Sequence, residues 1–141
     1  MATAKIKLNF IAILVTGITA FMLSILWYSS LMFGKIWELY RHLPNPSIPQ
    51  WTILFAPLRE IVASYVLALL IVRLQIKDWI AAVKLMILLW LAFQAVGMAG
   101  AILWDNMQWQ LGAVHAGDWL MKMLFMGIVL TLWHNKNRKV N

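Results

Sequence analysis

The stretch that decides the fold is GAVHAGDWLMKMLFMGIVLTLW, residues 112–133. It is long enough to cross a bilayer, which takes roughly 20 apolar residues in a helix. Its first half nevertheless carries His115, Asp118 and Lys122. A helix advances about 100° per residue, so these three side chains lie within about 60° of one another, on one face. A lysine deep in a span costs roughly 2.5–3.5 kcal/mol to insert, so the rest of the chain is expected to provide a countercharge.

The overall composition indicates an integral membrane protein. Of the 141 residues, 63% are hydrophobic and 12% are charged. Soluble domains have about 45–50% apolar and about 25% charged residues. The length predicts a single domain. The absence of cysteine excludes disulfides, thiolate metal sites, cysteine nucleophiles and cysteine-linked lipid anchors.

Four apolar segments predict an all-α protein, an antiparallel bundle of four transmembrane helices. The predicted spans are residues 9–33, 55–76, 80–104 and 112–133, with a proline-containing interfacial connection at 38–54. A signal peptide is the alternative for the first segment, because Lys5 and Lys7 precede it. That segment is longer than a signal h-region and no small-x-small cleavage site follows it, so we expect a retained helix.

The uncharged part of the second span is too short to cross a bilayer. Only twelve uncharged residues separate Glu60 from Arg73, about 18 Å of helix against about 30 Å of hydrocarbon. The helix is therefore expected to extend outward through Arg59 and Glu60, inward past Arg73, or both. Asp78 then follows a short turn, where we expect it to cap the third span.

Small residues mark the helix faces that we expect to pack closely. In the first span they recur at every fourth position, and in the third they form a small-xxx-small pair: Ala12, Thr16, Ala20 and Ser24, then Gly97 and Ala101. Gln94, near the centre of the third span, needs a hydrogen-bonding partner or water in a bilayer. We expect either an interhelical hydrogen bond or a place in a polar path.

The block that follows the first span is WYSSLMFGKIW, residues 27–37. It resembles the signature of a bacterial family of small four-helix membrane proteins, the domain-of-unknown-function family seventeen-sixty-one (DUF1761). The glycine-rich third span and the start of the fourth, HAGDWLMK at residues 115–122, are similar to it as well, so the resemblance covers most of the chain. The resemblance implies a four-helix topology and no particular activity.

The distribution of charge predicts the orientation. Four spans place the N-terminus, the second connection and the C-terminus on one side, where Asp78 is the only acid. That side has eight basic residues: Lys5, Lys7, Arg73, Lys77, Lys84, Lys136, Arg138 and Lys139. The other side has four, balanced by four acids. The positive-inside rule then predicts cytoplasmic termini. The resemblance to a bacterial family implies that the membrane is the bacterial inner (plasma) membrane. Topology accounts for the net charge of +7, so we expect no nucleic-acid partner.

Aromatic residues concentrate toward the predicted outer side, where they are typical of an interfacial belt. The belt is predicted to contain Trp27, Tyr28, Trp37, Trp104, Trp109 and Trp119. The alternative is that some of these rings line a cavity for a lipid or a flat ligand.

The outer halves of the second and fourth spans lie at the same membrane depth. Arg59 and Glu60 are therefore expected to meet His115, Asp118 and Lys122 in a nearly neutral cluster. Intramembrane ionisable groups usually mark a pathway, a proton relay or a ligand site. Two further interpretations stay open, a cluster that only locks the helices together and a catalytic site.

Catalysis has the least support in the sequence. No serine lies next to a base, and no HExxH motif occurs. His115 and Asp118 provide only two metal ligands, fewer than the three protein ligands of a typical catalytic zinc site. We therefore predict no catalytic residue, no metal and no cofactor.

The sequence thus predicts a small non-enzymatic membrane protein with a polar site in its outer half. The leading function is to bind or pass a small solute, ion or lipid, as a homo-oligomer in the lipid bilayer. The alternative is a non-catalytic accessory or assembly subunit of a larger membrane complex. In that case the charge cluster fastens helices together, and the partner is another membrane protein.

Overall fold

The computed structural model describes residues 8–41, 51 and 54–140, with side chains described as far as residue 136. The predicted connection at 38–54 lies mostly outside the described residues. The regular structure within the described residues is helical, as predicted. Its elements are α1 (Phe10–Trp27), α2 (Gly34–Tyr40), α3 (Phe55–Arg73), α4 (Trp79–Trp104) and α5 (Trp109–Val140).

Four of these helices, α1, α3, α4 and α5, are long and apolar enough to cross a membrane. Helix α5 is central, because α1, α3 and α4 all pack against it, while α1 also packs against α3. The shared apolar core consists of Ala12, Ile13, Ala20, Leu67, Ala68, Ile71, Met86, Met126 and Leu130. The core therefore consists mainly of side chains from α1, α3 and α5, and α4 contributes Met86 to it.

The two ends of the bundle differ. At the termini end, Asn9 lies beside Val72 of α3 and His134 of α5 around a small cavity. The Asn135 amide also donates a hydrogen bond to the backbone carbonyl of Lys77, in the α3–α4 turn. The opposite end, called the α2 end here, carries α2, the start of α3 and the α4–α5 turn. The four long helices therefore alternate in direction.

The first span is shorter than the predicted 9–33. Helix α1 ends at Trp27, and the chain turns before α2 begins at Gly34. Ser29 accounts for this end, because its hydroxyl donates to the Leu26 carbonyl at 2.7 Å and accepts from the Leu31 amide at 3.3 Å. Such local side-chain bonds compete with the helical ladder.

Helix α3 begins at Phe55, as predicted, so Arg59 and Glu60 lie inside it. It ends at Arg73 and not at the predicted residue 76. Beyond the end, Gln75 has a left-handed φ of 54°, and the Ile76 amide donates to the Ile71 carbonyl at 3.0 Å. This pattern is a Schellman motif, which satisfies the last carbonyls of a helix and stops it.

Helix α4 is the least buried of the four long helices. The Asp78 carboxylate accepts from the Ala81 amide at 2.8 Å, which confirms the predicted cap. A π-helical segment, Trp90–Ala95, interrupts the helix. No close contact forms at Gly97 within the chain, because no atom outside its own stretch of helix lies within 4 Å of where its Cβ would be. This face of the second half of α4 is open, whereas Met98 lines a cavity and Ile102 lies against Gly112 of α5.

The predicted small-residue face of α1 is confirmed. Ala12, Thr16, Ala20 and Ser24 are all buried. The closest approach occurs at Gly17, where an added Cβ would lie 2.8 Å from the Ile61 Cα of α3. The backbones of α1 and α3 therefore meet at a distance that only glycine permits.

Candidate functional site

Lys122 occupies the middle of the bundle interior, and its side chain is completely buried. Its Nζ lies 2.8 Å from Glu60 Oε1 and 2.7 Å from Asp118 Oδ2. Both acids are buried to within 1% of complete. The predicted countercharge therefore comes from α3 as well as from α5 itself.

Asp118 is held through both of its carboxylate oxygens. Oδ2 faces Lys122, and Oδ1 accepts a 2.6 Å hydrogen bond from the Ser24 hydroxyl of α1. Ser24 was predicted only as a small packing residue. The carboxylate thus connects α1 to α5 and leaves neither oxygen without a partner.

Arg59 completes the charge cluster, which we define as Arg59, Glu60, Asp118 and Lys122. Its Nη2 and Nε donate to Glu60 Oε1 at 2.6 and 3.1 Å. Unlike the other three, Arg59 leaves 53% of its side chain exposed. With every group ionised, the two acids and two bases cancel, so the cluster is neutral within the bundle.

His115, the fifth predicted site residue, lies beside the cluster and not within it. Its Nδ1 is 2.8 Å from the Tyr28 hydroxyl, which comes from the turn after α1. Burial raises the pKa of the Tyr28 hydroxyl above its usual value, and the Asp118 carboxylate raises it further. The phenol therefore stays protonated and can donate to the imidazole.

Two tryptophans bind backbone carbonyls of α5 in the turn that precedes Asp118. Trp27 Nε1 donates to the Val114 carbonyl at 3.1 Å, and Trp90 Nε1 donates to the Ala116 carbonyl at 2.8 Å. Trp90 begins the π-helical segment of α4. Such segments often occur at functional sites, and this one brings α4 against the cluster.

A cavity of about 620 Å³ lies against the charge cluster, at the α2 end. Residues of all five helices form its wall. The polar part of the wall consists of Ser24, Tyr28, Arg59, Gln94, His115 and Asp118. The apolar and aromatic part consists of Phe21, Ile25, Trp37, Ala56, Met98 and Trp119. The volume lies within the roughly 300–1,000 Å³ range of small-molecule sites.

The cavity divides the five predicted site residues into two groups. Arg59, His115 and Asp118 line it, whereas Glu60 and Lys122 lie behind the wall. The structure brings all five together within the bundle. Only the first group is placed to contact a ligand, and the buried pair holds α3 to α5.

The six aromatic residues predicted as a belt also fall into two groups, those inside the bundle and those on its surface. Tyr28, Trp37 and Trp119 line the cavity, and Trp27 contacts the α5 backbone. Trp104 and Trp109 are 81% and 64% exposed, as belt residues are. Three of the six rings therefore line a cavity, which was the alternative prediction for these residues.

Gln94 lines the cavity, as one of its predicted alternatives required. Its amide makes no hydrogen bond to another described residue, so the expected interhelical bond is not observed. Besides Ser24, the sequence did not indicate four wall residues, all of them apolar: Phe21, Ile25, Ala56 and Met98. No signal in the sequence distinguishes them from lipid-facing neighbours.

The residues of the site do not form a metal centre. No group of three or more His, Asp or Glu side chains that could hold a metal ion occurs among the residues described. Lys122 and Ser24 occupy both oxygens of Asp118, whereas Lys122 and Arg59 occupy only Oε1 of Glu60, whose Oε2 is buried without a partner among the described residues. The chemistry available in the cavity is hydrogen bonding, charge and aromatic contact.

The family model described as Protein of unknown function (DUF1761) matches residues 11–131, which include every residue of the site. The chain belongs to the DUF1761 family. No curated protein and no solved structure matches it. In this DUF1761 chain, the block WYSSLMFGKIW forms the turn after α1 and the first half of α2. That block places Tyr28 and Trp37 on the wall of the cavity.

Proposed function

We propose that this DUF1761 protein binds a small ligand in the cavity beside Asp118. The observation that carries the proposal is the composition of the wall. An exposed guanidinium, an imidazole, a phenol and an amide converge on a cavity that is otherwise apolar and aromatic. Convergent polar groups in an apolar pocket are typical of small-molecule sites.

Binding is better supported than open conduction. Asp118 lines the cavity, whereas Lys122, one turn farther along α5, does not. Beyond Lys122 the interior is mostly apolar, with Met126 and Leu130 in the core and Thr131 buried among them. This interior provides no continuous polar path to the termini end, so any passage of a solute requires a second conformation.

The setting that we propose is the bacterial inner membrane, with both termini in the cytoplasm. Four helices are long and apolar enough to span it. The excess of basic residues toward the termini end supports this orientation. The cavity then lies in the outer half of the membrane.

Blocking the cavity tests the proposal. Ala56 lines the wall, so Ala56→Phe fills part of the space. Ala99 is an exposed residue of α4, and Ala99→Phe makes the same change on the outer surface. Each protein is purified in mild detergent after exposure to a bacterial polar lipid extract, and bound small molecules are counted by native mass spectrometry.

We expect bound molecules on the wild type and on Ala99→Phe, and their loss from Ala56→Phe. Equal binding to all three proteins would place the ligand elsewhere and contradict the proposal. A wild type that retains nothing would also contradict it. Circular dichroism of the three proteins confirms that each one is folded.

The second candidate is a non-catalytic accessory or assembly subunit of a larger membrane complex. The exposed face of the second half of α4 favours it. Phe93, Leu103 and Trp104 are each more than two-thirds exposed, and Gly97 has open space above it. A helix of another membrane protein would then cover this face, and the buried Glu60–Lys122 pair would serve only to fasten α3 to α5. Under mild detergent, this function predicts a defined co-purifying subunit.

A further inference from the structure

We propose that the ligand of this cavity is a membrane amphiphile with an anionic headgroup, which binds at Arg59 and leaves its apolar part between α1 and α4. This inference rests on the proposed function, since it concerns the same cavity. It assigns the chemical class of the ligand and the direction from which the ligand enters.

The accessible charge of the cavity is positive. Its two charged wall residues are Arg59 and Asp118. Asp118 is 1% exposed, and Ser24 and Lys122 occupy its two oxygens. Arg59 is half exposed and uses only Nε and one Nη2 hydrogen toward Glu60, so its remaining N–H groups are available. A guanidinium with free N–H groups suits a phosphate or a carboxylate.

An organic cation suits this cavity poorly. Aromatic faces are the usual recognition elements for such ligands. Here the Trp119 ring already carries Lys122 Nζ at 4.4 Å and Arg59 Cζ at 5.2 Å. The Trp37 ring carries Arg41 Cζ at 4.2 Å. The two cavity tryptophans thus stack against cations of the protein itself.

Hydrogen-bond donors next to Arg59 support an anionic headgroup. The Tyr28 hydroxyl is engaged with His115 Nδ1, whereas the Gln94 amide has no hydrogen-bond partner among the described residues. His115 also lines the wall and has a second ring nitrogen besides the one that faces Tyr28. Both groups line the same cavity as Arg59, so they are available to a headgroup bound there.

The cavity has wall residues from both α1 and α4, two helices that make no extended contact with each other. Helix α1 packs on α3 and α5, and α4 packs on α5, so no extended contact closes the gap between α1 and α4. Phe21 and Ile25 line the α1 side, and Met98 lines the α4 side. Ile25 is 52% exposed, and all three belong to candidate membrane spans. Because these wall residues are apolar and belong to candidate spans, we place the entry of an acyl chain at the gap between α1 and α4.

The test compares headgroups on the purified protein in detergent. Binding constants are measured by native mass spectrometry for phosphatidylglycerol, oleate and phosphatidylcholine, with inorganic phosphate and glycerol phosphate as soluble competitors. The variants are Arg59→Gln, Arg59→Lys and Ala56→Phe. Arg73→Gln, at the other end of the same helix, is the matched control.

We expect phosphatidylglycerol and oleate to bind at least about tenfold more tightly than phosphatidylcholine. Arg59→Gln should remove that preference, Arg59→Lys should keep part of it, and Arg73→Gln should keep all of it. Ala56→Phe should weaken binding of both anionic amphiphiles. The soluble anions should compete only weakly, because they lack the apolar part.

Three results would overturn the inference. One is equal affinity for phosphatidylglycerol and phosphatidylcholine. Another is an equal loss in Arg59→Gln and Arg73→Gln, which would indicate general attraction to positive charge. The third is glycerol phosphate competing as tightly as phosphatidylglycerol, which would make the ligand a soluble anion. Binding that Ala56→Phe removes without any headgroup preference would leave the proposed function intact, whereas no binding at all would remove both.

Discussion

Lys122 Nζ and Glu60 Oε1 lie 2.8 Å apart, and both side chains are completely buried where α5 meets α3. The pair joins two helices that are far apart in sequence. Desolvation of two charges is expensive, and close approach with additional hydrogen bonds is what offsets it. Asp118 and Arg59 provide those contacts, so the pair belongs to a neutral cluster and not to an isolated bridge.

Removal of the central cation should destabilise the protein strongly. Lys122→Met leaves the Glu60 and Asp118 carboxylates buried together without their shared partner. Breaking a buried ion pair from one side costs about 3–5 kcal/mol. Lys84→Met, at an exposed position of α4, should change stability by less than about 0.5 kcal/mol. Denaturant unfolding in detergent measures both, and similar values for the two variants would contradict the central role of Lys122.

Ser24→Ala tests the contact between α1 and α5. It removes the donor to Asp118 Oδ1 and leaves that buried oxygen unsatisfied. The expected cost is about 1–3 kcal/mol. Ser30, an exposed residue of the turn after α1, provides the control in Ser30→Ala. An unchanged unfolding midpoint in Ser24→Ala would mean that the hydrogen bond contributes nothing measurable.

Substitution by alanine at Gly17 and at Gly97 should change the stability of the protein in opposite directions. Gly17→Ala forces a Cβ against the Ile61 backbone, and overpacking of this kind costs about 1–3 kcal/mol. Gly97→Ala places its Cβ in open space, where replacing a helical glycine stabilises by about 0.5–1 kcal/mol. Thermal unfolding of the two variants should therefore shift in opposite directions. A stabilised Gly17→Ala would show that α1 and α3 are farther apart than described.

Topology can be tested cleanly because the chain has no cysteine. Ser30→Cys places a thiol at the α2 end, and Lys77→Cys places one in the α3–α4 turn. An impermeant maleimide added to right-side-out spheroplasts should label Ser30→Cys at once and Lys77→Cys only after lysis. The reverse labelling would contradict cytoplasmic termini and would place the cavity in the inner half of the membrane.

The spans and the charge cluster could be predicted from the sequence, because each follows from the cost of placing polar groups in hydrocarbon. A hydrocarbon setting demands long apolar helices, and a lysine within one demands a countercharge at the same depth. The spacing of His115, Asp118 and Lys122 then fixed their common face. The placement of Glu60 followed from the shortness of the uncharged run in the second span.

The cavity was not predictable, since it depends on how the helices pack. The gap between α1 and α4 arises because both pack on α5 and not on each other. The turn that places Tyr28 against His115 depends on local hydrogen bonds of Ser29. The role of Ser24 was hidden as well, because a small residue on a packing face has the same pattern whether or not its hydroxyl binds Asp118.

The most direct test of ligand binding is an electron-density map of the protein crystallised from a lipidic mesophase containing phosphatidylglycerol. If the cavity binds a ligand as proposed, we expect non-protein density in the cavity between α1 and α4, within hydrogen-bond distance of the Arg59 guanidinium and adjacent to Asp118. The same density should be missing from crystals of Ala56→Phe. A cavity filled by repacked side chains of Phe21, Met98 and Trp119, with no such density, would contradict it.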